Sequence, residues 1–143
     1  MDIFTRTFIT LAICVAGLAA YVFLSRLTLR RAQAQAGHNP LGLETARPGL
    51  PTILYFTTPA CVPCRTVQGP AIDSVAKAHS GNLQVIKIDA QERPEIADHW
   101  GVLSVPTTFI LDRDGKPRFL NAGVARAEKL EQQLLQAGLR VNG

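Results

Sequence analysis

The longest apolar stretch runs from Thr7 to Ser25 and contains no charged residue. A helix rises ~1.5 Å per residue, so this run reaches roughly 28 Å, close to the hydrocarbon thickness of a bilayer. Arg6 precedes it, Arg26, Arg30 and Arg31 follow it, and Tyr21 and Phe23 lie near one end, where interfacial aromatics gather. A core helix is rarely apolar on every side and bracketed by arginine. A cleaved signal peptide has a shorter apolar region, and the small-residue triplets Ala32-Gln33-Ala34 and Ala34-Gln35-Ala36 lie beyond the arginines. The pattern predicts a retained single-pass anchor over residues 1–31. The three arginines after the run outweigh Arg6 and the α-amine, offset by Asp2. That balance places the rest of the chain on the cytoplasmic side, with the periplasmic or extracellular side as the alternative. Cys14, inside the run, reads as a small apolar filler.

Residues 32–51 break periodicity with Gly37, Asn39, Pro40, Gly42, Pro48, Gly49 and Pro51, the composition of a linker. From Thr52 the pattern alternates between strand and helix signals and predicts one domain over residues 52–143. Thr52 to Thr57 is a short apolar β-prone run. Val62 to His79 has helical spacing through Val67, Ile72, Val75 and Ala76, closed by Ser80-Gly81-Asn82. Leu83 to Asp89 reads as a second strand and Glu95 to Trp100 as a short helix between Pro94 and Gly101. Thr107–Leu111 and Arg118–Asn121 flank an Asp-Gly hairpin turn. Arg126 to Leu139 closes the chain as an amphipathic helix with Leu130, Leu134 and Leu135 on one face. The order βαβ, helix, ββα implies an α/β fold: a mixed sheet with one parallel pair, an antiparallel hairpin and helices on both faces.

Composition narrows the functional classes. The chain has 143 residues and a net charge of +4. Residues 1–47 hold five arginines against two acids, and residues 48–143 hold ten Lys/Arg against nine Asp/Glu. The excess therefore sits by the anchor, and a nearly neutral body gives no nucleic-acid footprint. Neither a Gly-rich phosphate loop nor a Ser/His/Asp arrangement occurs.

The candidate chemistry is Cys61-Val62-Pro63-Cys64, where the first strand hands over to a helix. Free N–H groups at a helix start stabilise a thiolate at Cys61, and a thiolate is the species that attacks a disulfide. Cys64, one turn on, can reach back to the Cys61 sulfur. Pro63 fits the first turn, where its missing N–H costs nothing. A metal site is the alternative, but only His79 and His99 could complete it within the domain, and neither has a partner at ligand spacing. Two inert buried cysteines remain a third possibility. Both histidines read as surface residues, and Trp100 as a core or edge aromatic.

Phe56 through Cys64, the downstream Ser104-Val105-Pro106-Thr107 and the element order resemble thioredoxin over about residues 48–140. The resemblance implies a thioredoxin-like fold and protein-disulfide oxidoreductase activity, with Cys61 as nucleophile and Cys64 as resolving thiol. It implies a cis Pro106 beside the disulfide. Val62, Pro63, Val105, Pro106 and Gly123 would form the substrate platform, with the Val105 backbone offered to an extended client. No organic cofactor and no metal are implied; electrons would come from a partner dithiol protein or thioredoxin reductase and pass to a disulfide-containing client. With an anchor over residues 7–25, the expected protein is a membrane-tethered reductase. The alternatives are an extracytoplasmic oxidase, isomerase or cytochrome c maturation thioredoxin, and a soft-metal or peptide-binding module without turnover. Several positions depart from the family pattern. Ala60 replaces the Trp before the first cysteine, Tyr55 replaces the buried acid, and Val85 stands where its lysine partner would be. Tyr55 reads as core or as a weak proton relay. Pro70, similar to the family's helix-kinking proline, comes six residues after Cys64 instead of five, which implies a local shift in the helix. The family's first strand and helix have no counterpart before Thr52.

Overall fold

The computed structural model describes residues 2–36 and 41–141. Helix α1 spans Ile3–Ala36. Its Ile3–Arg31 portion is long and apolar enough to cross a membrane, and that apolar stretch is not buried in the protein. The helix continues to Ala36, into the segment expected to be linker. Gly37, Asn39 and Pro40 of that segment lie outside the described residues. From Leu41 onward the chain is docked. Leu43 is buried, and the indole N–H of Trp100 donates to the Leu41 carbonyl at 2.8 Å.

The domain is built from β1 Thr52–Thr57, a π-helical turn Cys64–Gln68 leading into α2 Gly69–Ala78, β2 Gln84–Asp89, α3 Pro94–Trp100, β3 Thr107–Leu111, β4 Pro117–Ala122 and α4 Ala127–Gln136. The sheet order is β2-β1-β3-β4. β1 pairs parallel with β2 and antiparallel with β3, and β3 pairs antiparallel with β4. All six residues of β1 are buried, as expected for an interior strand covered on both faces. Alternate residues serve the two sides. Ile53, Tyr55 and Ile110 pack with Ile72 and Val75 of α2 and with Leu130 and Leu134 of α4. Leu54, Phe56, Phe109 and Leu111 pack with Ile96 and Trp100 of α3. The Trp100 and Phe109 rings lie 5.1 Å apart, an ordinary aromatic contact distance.

Three expectations are corrected by the packing. His79 is 7 % exposed rather than a surface residue. It stands at the C-terminal end of α2 and meets Glu131 of α4, with 2.6 Å between Nε2 and Oε1. Val67 is 45 % exposed, and the fully buried residue at that level is Gln68. A π-turn holds more residues per turn than an α-helix, so it rotates the inward-facing position by one residue. Leu135 is also 45 % exposed, which leaves Leu130 and Leu134 as the buried leucines of α4.

Candidate active site

The C-terminal end of β1 delivers the chain into the cysteine loop. Cys61 immediately precedes helical backbone that begins at Val62. Its carbonyl accepts from the Arg65 N–H at 3.4 Å, and its sulfur accepts from the Cys64 backbone N–H at 3.3 Å. Cys61 therefore occupies the N-cap position, where a side-chain acceptor satisfies one of the free N–H groups of the first turn. Cys61 and Cys64 form a disulfide, with their Cα atoms 5.3 Å apart. The two ends of this bond are unequally exposed. Cys61 is 8 % exposed and Cys64 only 2 %. Val62 and Pro63 stand out into solvent beside them.

The expected helix shift takes the form of the π-turn. The Gly69 N–H donates to the Cys64 carbonyl, five residues back, and Pro70 follows directly with no N–H to offer. A Cβ at Gly69 would stand 3.0 Å from that carbonyl oxygen, so glycine suits the close approach. Tyr55 lies below. Its hydroxyl donates to the same Cys64 carbonyl at 3.2 Å. Desolvation by burial pushes the Tyr55 phenol above its ordinary value, against a lowering by the Thr57 hydroxyl, and the field of Asp73 adds to the rise. The phenol is thus protonated at neutral pH and acts as a donor to the backbone.

The remaining site residues come from the other side of the sheet's disulfide end. The Val105–Pro106 peptide bond is cis, and Pro106 is buried. Val105 packs against the cluster that holds both cysteines. The Pro106 carbonyl accepts from the Gly123 N–H at 2.8 Å. Gly123 has φ +102°, a conformation side chains rarely adopt. Cys61, Cys64, Val105, Pro106 and Gly123 are thereby gathered at one end of the sheet, while Ala60 is exposed.

Gln68 also belongs to this end of the domain, although the apolar periodicity points to Val67. Its amide Oε1 accepts from the Ala125 N–H at 2.7 Å, and its Nε2 donates to the Ala125 carbonyl at 3.1 Å. This pair of hydrogen bonds ties the cysteine-bearing helix to the segment that follows Gly123. A signal existed: Gln68 lies four residues after Cys64 and four before Ile72, whereas Val67 lies five before Ile72.

The thioredoxin family profile matches residues 45–136. Thioredoxin 1 of Nostoc sp. is 30 % identical over 103 residues, which cover 72 % of this chain and 94 % of that protein. The thioredoxin of Alicyclobacillus acidocaldarius is 34 % identical over 84 residues, 59 % of this chain and 78 % of its own. Among solved structures, chloroplastic thioredoxin z superposes with a TM-score of 0.61 at 26 % identity, covering 68 % of this chain and 87 % of that one. A thioredoxin-like protein from Clostridium perfringens superposes with a TM-score of 0.58 at 28 % identity, covering 67 % and 77 %. The profile takes in the strand, the cysteine pair, the cis-proline and the closing helix together, and the chain belongs to the thioredoxin family.

Proposed function

We propose that this chain is a membrane-tethered thiol–disulfide oxidoreductase that reduces protein disulfides. One observation carries the reading, the inequality of the two cysteines. Cys61 is the more accessible and receives a backbone N–H, a contact that favours sulfur as thiolate. In the reduced protein, the Cys61 thiolate attacks one sulfur of a client disulfide. A mixed disulfide forms and the other client sulfur leaves as a thiolate. The Cys64 thiolate then attacks the Cys61 sulfur, forms the Cys61–Cys64 bond and releases the second client thiolate. Two electrons have passed to the client, two protons from solvent complete its thiols, and a donor dithiol protein or thioredoxin reductase returns the pair to the reduced state. Val62, Pro63, Val105, Pro106 and Gly123 form the client platform. The apolar run at residues 7–25 is the tether, which raises the effective concentration of the domain near membrane clients. The arginines that follow it support a cytoplasmic domain, where reducing conditions suit a reductase.

The full chain in detergent micelles, supplied with dithiothreitol, is expected to accelerate insulin reduction. Cys61→Ser should abolish the acceleration, and Cys64→Ser should trap an insulin adduct on Cys61. Acceleration that survives Cys61→Ser would falsify the assignment. Equilibration with glutathione gives the direction: a potential near about −270 mV supports a reductase, and one near about −120 mV a disulfide donor. For sidedness, Asp114→Cys in a chain with Cys14, Cys61 and Cys64 changed to Ser should resist an impermeant thiol reagent in intact cells. Efficient labelling would move the domain to the outer side.

A further inference from the structure

The anchor helix does not stand clear of the domain. Tyr21, Leu24 and Thr28 of α1 share a pocket with Leu103, Thr107 and Ala122. The approach is close, since a Cβ at Gly101 would stand 3.2 Å from Thr28 Cγ2. The register of the sheet shows which end of the domain this is. Thr107 is the first residue of β3 and Ala122 the last of β4; they pair with each other, and Thr107 pairs with Phe56 near the end of β1. That is the end at which β1 delivers Cys61. The hairpin turn around Asp114 lies at the opposite end.

Tyr21 and Leu24 belong to the apolar run at residues 7–25, so the end of the domain beside them is the end nearest a bilayer that the run crosses. Leu103 is the most exposed large apolar side chain described, at 97 %. It sits on the loop between α3 and the cis-proline and belongs to neither buried cluster. Val62 and Val124, which flank Cys61 and Gly123 in sequence, are 55 % and 45 % exposed. Exposed apolar side chains at the domain end that lies beside a membrane span are the pattern of a surface that meets the headgroup–acyl boundary.

We propose that the disulfide end of the domain docks on the bilayer surface, with Leu103 inserted beside the emerging anchor. The inference rests on the tether described under Proposed function and adds the orientation of the site. Membrane-protein clients are then reduced at cysteine pairs lying at the membrane–water interface, and disulfides that a client's own fold holds far above the bilayer are out of reach, whereas a small soluble disulfide still diffuses to the site. Asp98 lines a neighbouring pocket together with Leu103, so the insertion of Leu103 itself is tested on a lipid of no net charge.

The test uses the full chain with Cys14→Ser and the Cys61–Cys64 disulfide intact. A single cysteine is introduced as Leu103→Cys, Ile13→Cys or Asp114→Cys and labelled with a bimane maleimide. Leu103 is outside the core, so its replacement leaves the fold intact. Each protein is reconstituted into phosphatidylcholine vesicles carrying a nitroxide either near the headgroup or deep in the acyl chain. The expected result is about twofold or greater quenching at position 103 by the shallow nitroxide, strong quenching at 13 by the deep one, and little at 114 by either. Position 103 behaving like 114 while 13 is quenched overturns the docking and leaves the tether standing. No quenching at 13 overturns the tether, and the docking with it.

Discussion

The Tyr55 hydroxyl donates to the Cys64 carbonyl at 3.2 Å, and the same oxygen accepts the Gly69 N–H that closes the π-turn. Where the resemblance places a buried acid, this chain holds a phenol bonded to the backbone of Cys64. Tyr55 belongs to the buried apolar cluster that holds both cysteines. Its role is to hold the helix entrance in place.

Tyr55→Phe removes that donor from a buried acceptor and should cost about 1 kcal/mol in urea unfolding. The pH dependence has a definite sign. The folded phenol lies above the ordinary value of 10.0, so its contribution is fully present below that value. It is lost as pH rises through the raised folded value, because the unfolded chain releases its proton first. The wild type should lose stability more steeply than Tyr55→Phe in alkaline solution. Parallel alkaline profiles would show that the phenol is not perturbed.

Gln68 is fully buried and both ends of its amide are bonded to Ala125. Gln68→Ala strands a buried N–H and a buried carbonyl and should destabilise by about 2–4 kcal/mol. Gln68→Glu keeps an acceptor but loses the donor and buries a carboxylate, so it should not rescue. Thermal unfolding of both variants, followed through the single tryptophan, Trp100, checks the order. A loss below half of that range would mean that the two segments are held together by apolar packing alone.

His79 and Glu131 join α2 to α4 across the helical face of the sheet. Glu131 is half-exposed, which limits the worth of the pair. A double-mutant cycle with His79→Ala and Glu131→Ala should return a coupling of about 1 kcal/mol. The cycle separates the contact from the packing that His79→Ala also removes. Additive losses would leave the contact with no energetic weight.

Gly101 and Gly81 both have positive φ, at +67° and +86°, but only a Cβ at Gly101 meets a neighbour, Thr28 Cγ2. Both alanine variants carry the backbone strain, about 1 kcal/mol. Gly101→Ala should cost more than Gly81→Ala in the full chain, and the excess should shrink in a Thr28→Gly background. Equal costs would mean that the close approach of α1 to Gly101 carries no energy.

The local pattern of residues was enough for much of this protein. Thr52–Thr57 and Thr107–Leu111 have the strand boundaries expected of them, because short β-prone runs between turn residues carry their own start and stop. Gly101 ends α3 in the left-handed conformation, and the cysteine pair stands where a strand hands over to a helix, both legible from neighbouring residues. Even the π-turn left a trace in the spacing of Pro70 from Cys64. What tertiary structure decided was which polar groups go inside. His79 is buried because α4 brings Glu131 to it, and Gln68 because Ala125, 57 positions away, presents both a donor and an acceptor. A buried polar side chain is stable only with its partner in place, and no periodicity along the chain encodes a partner that far off. The same holds for the end of the sheet that meets α1: the apolar run predicts a span, but only the placement of Tyr21 and Leu24 beside Thr107 and Ala122 sets the disulfide end against that helix.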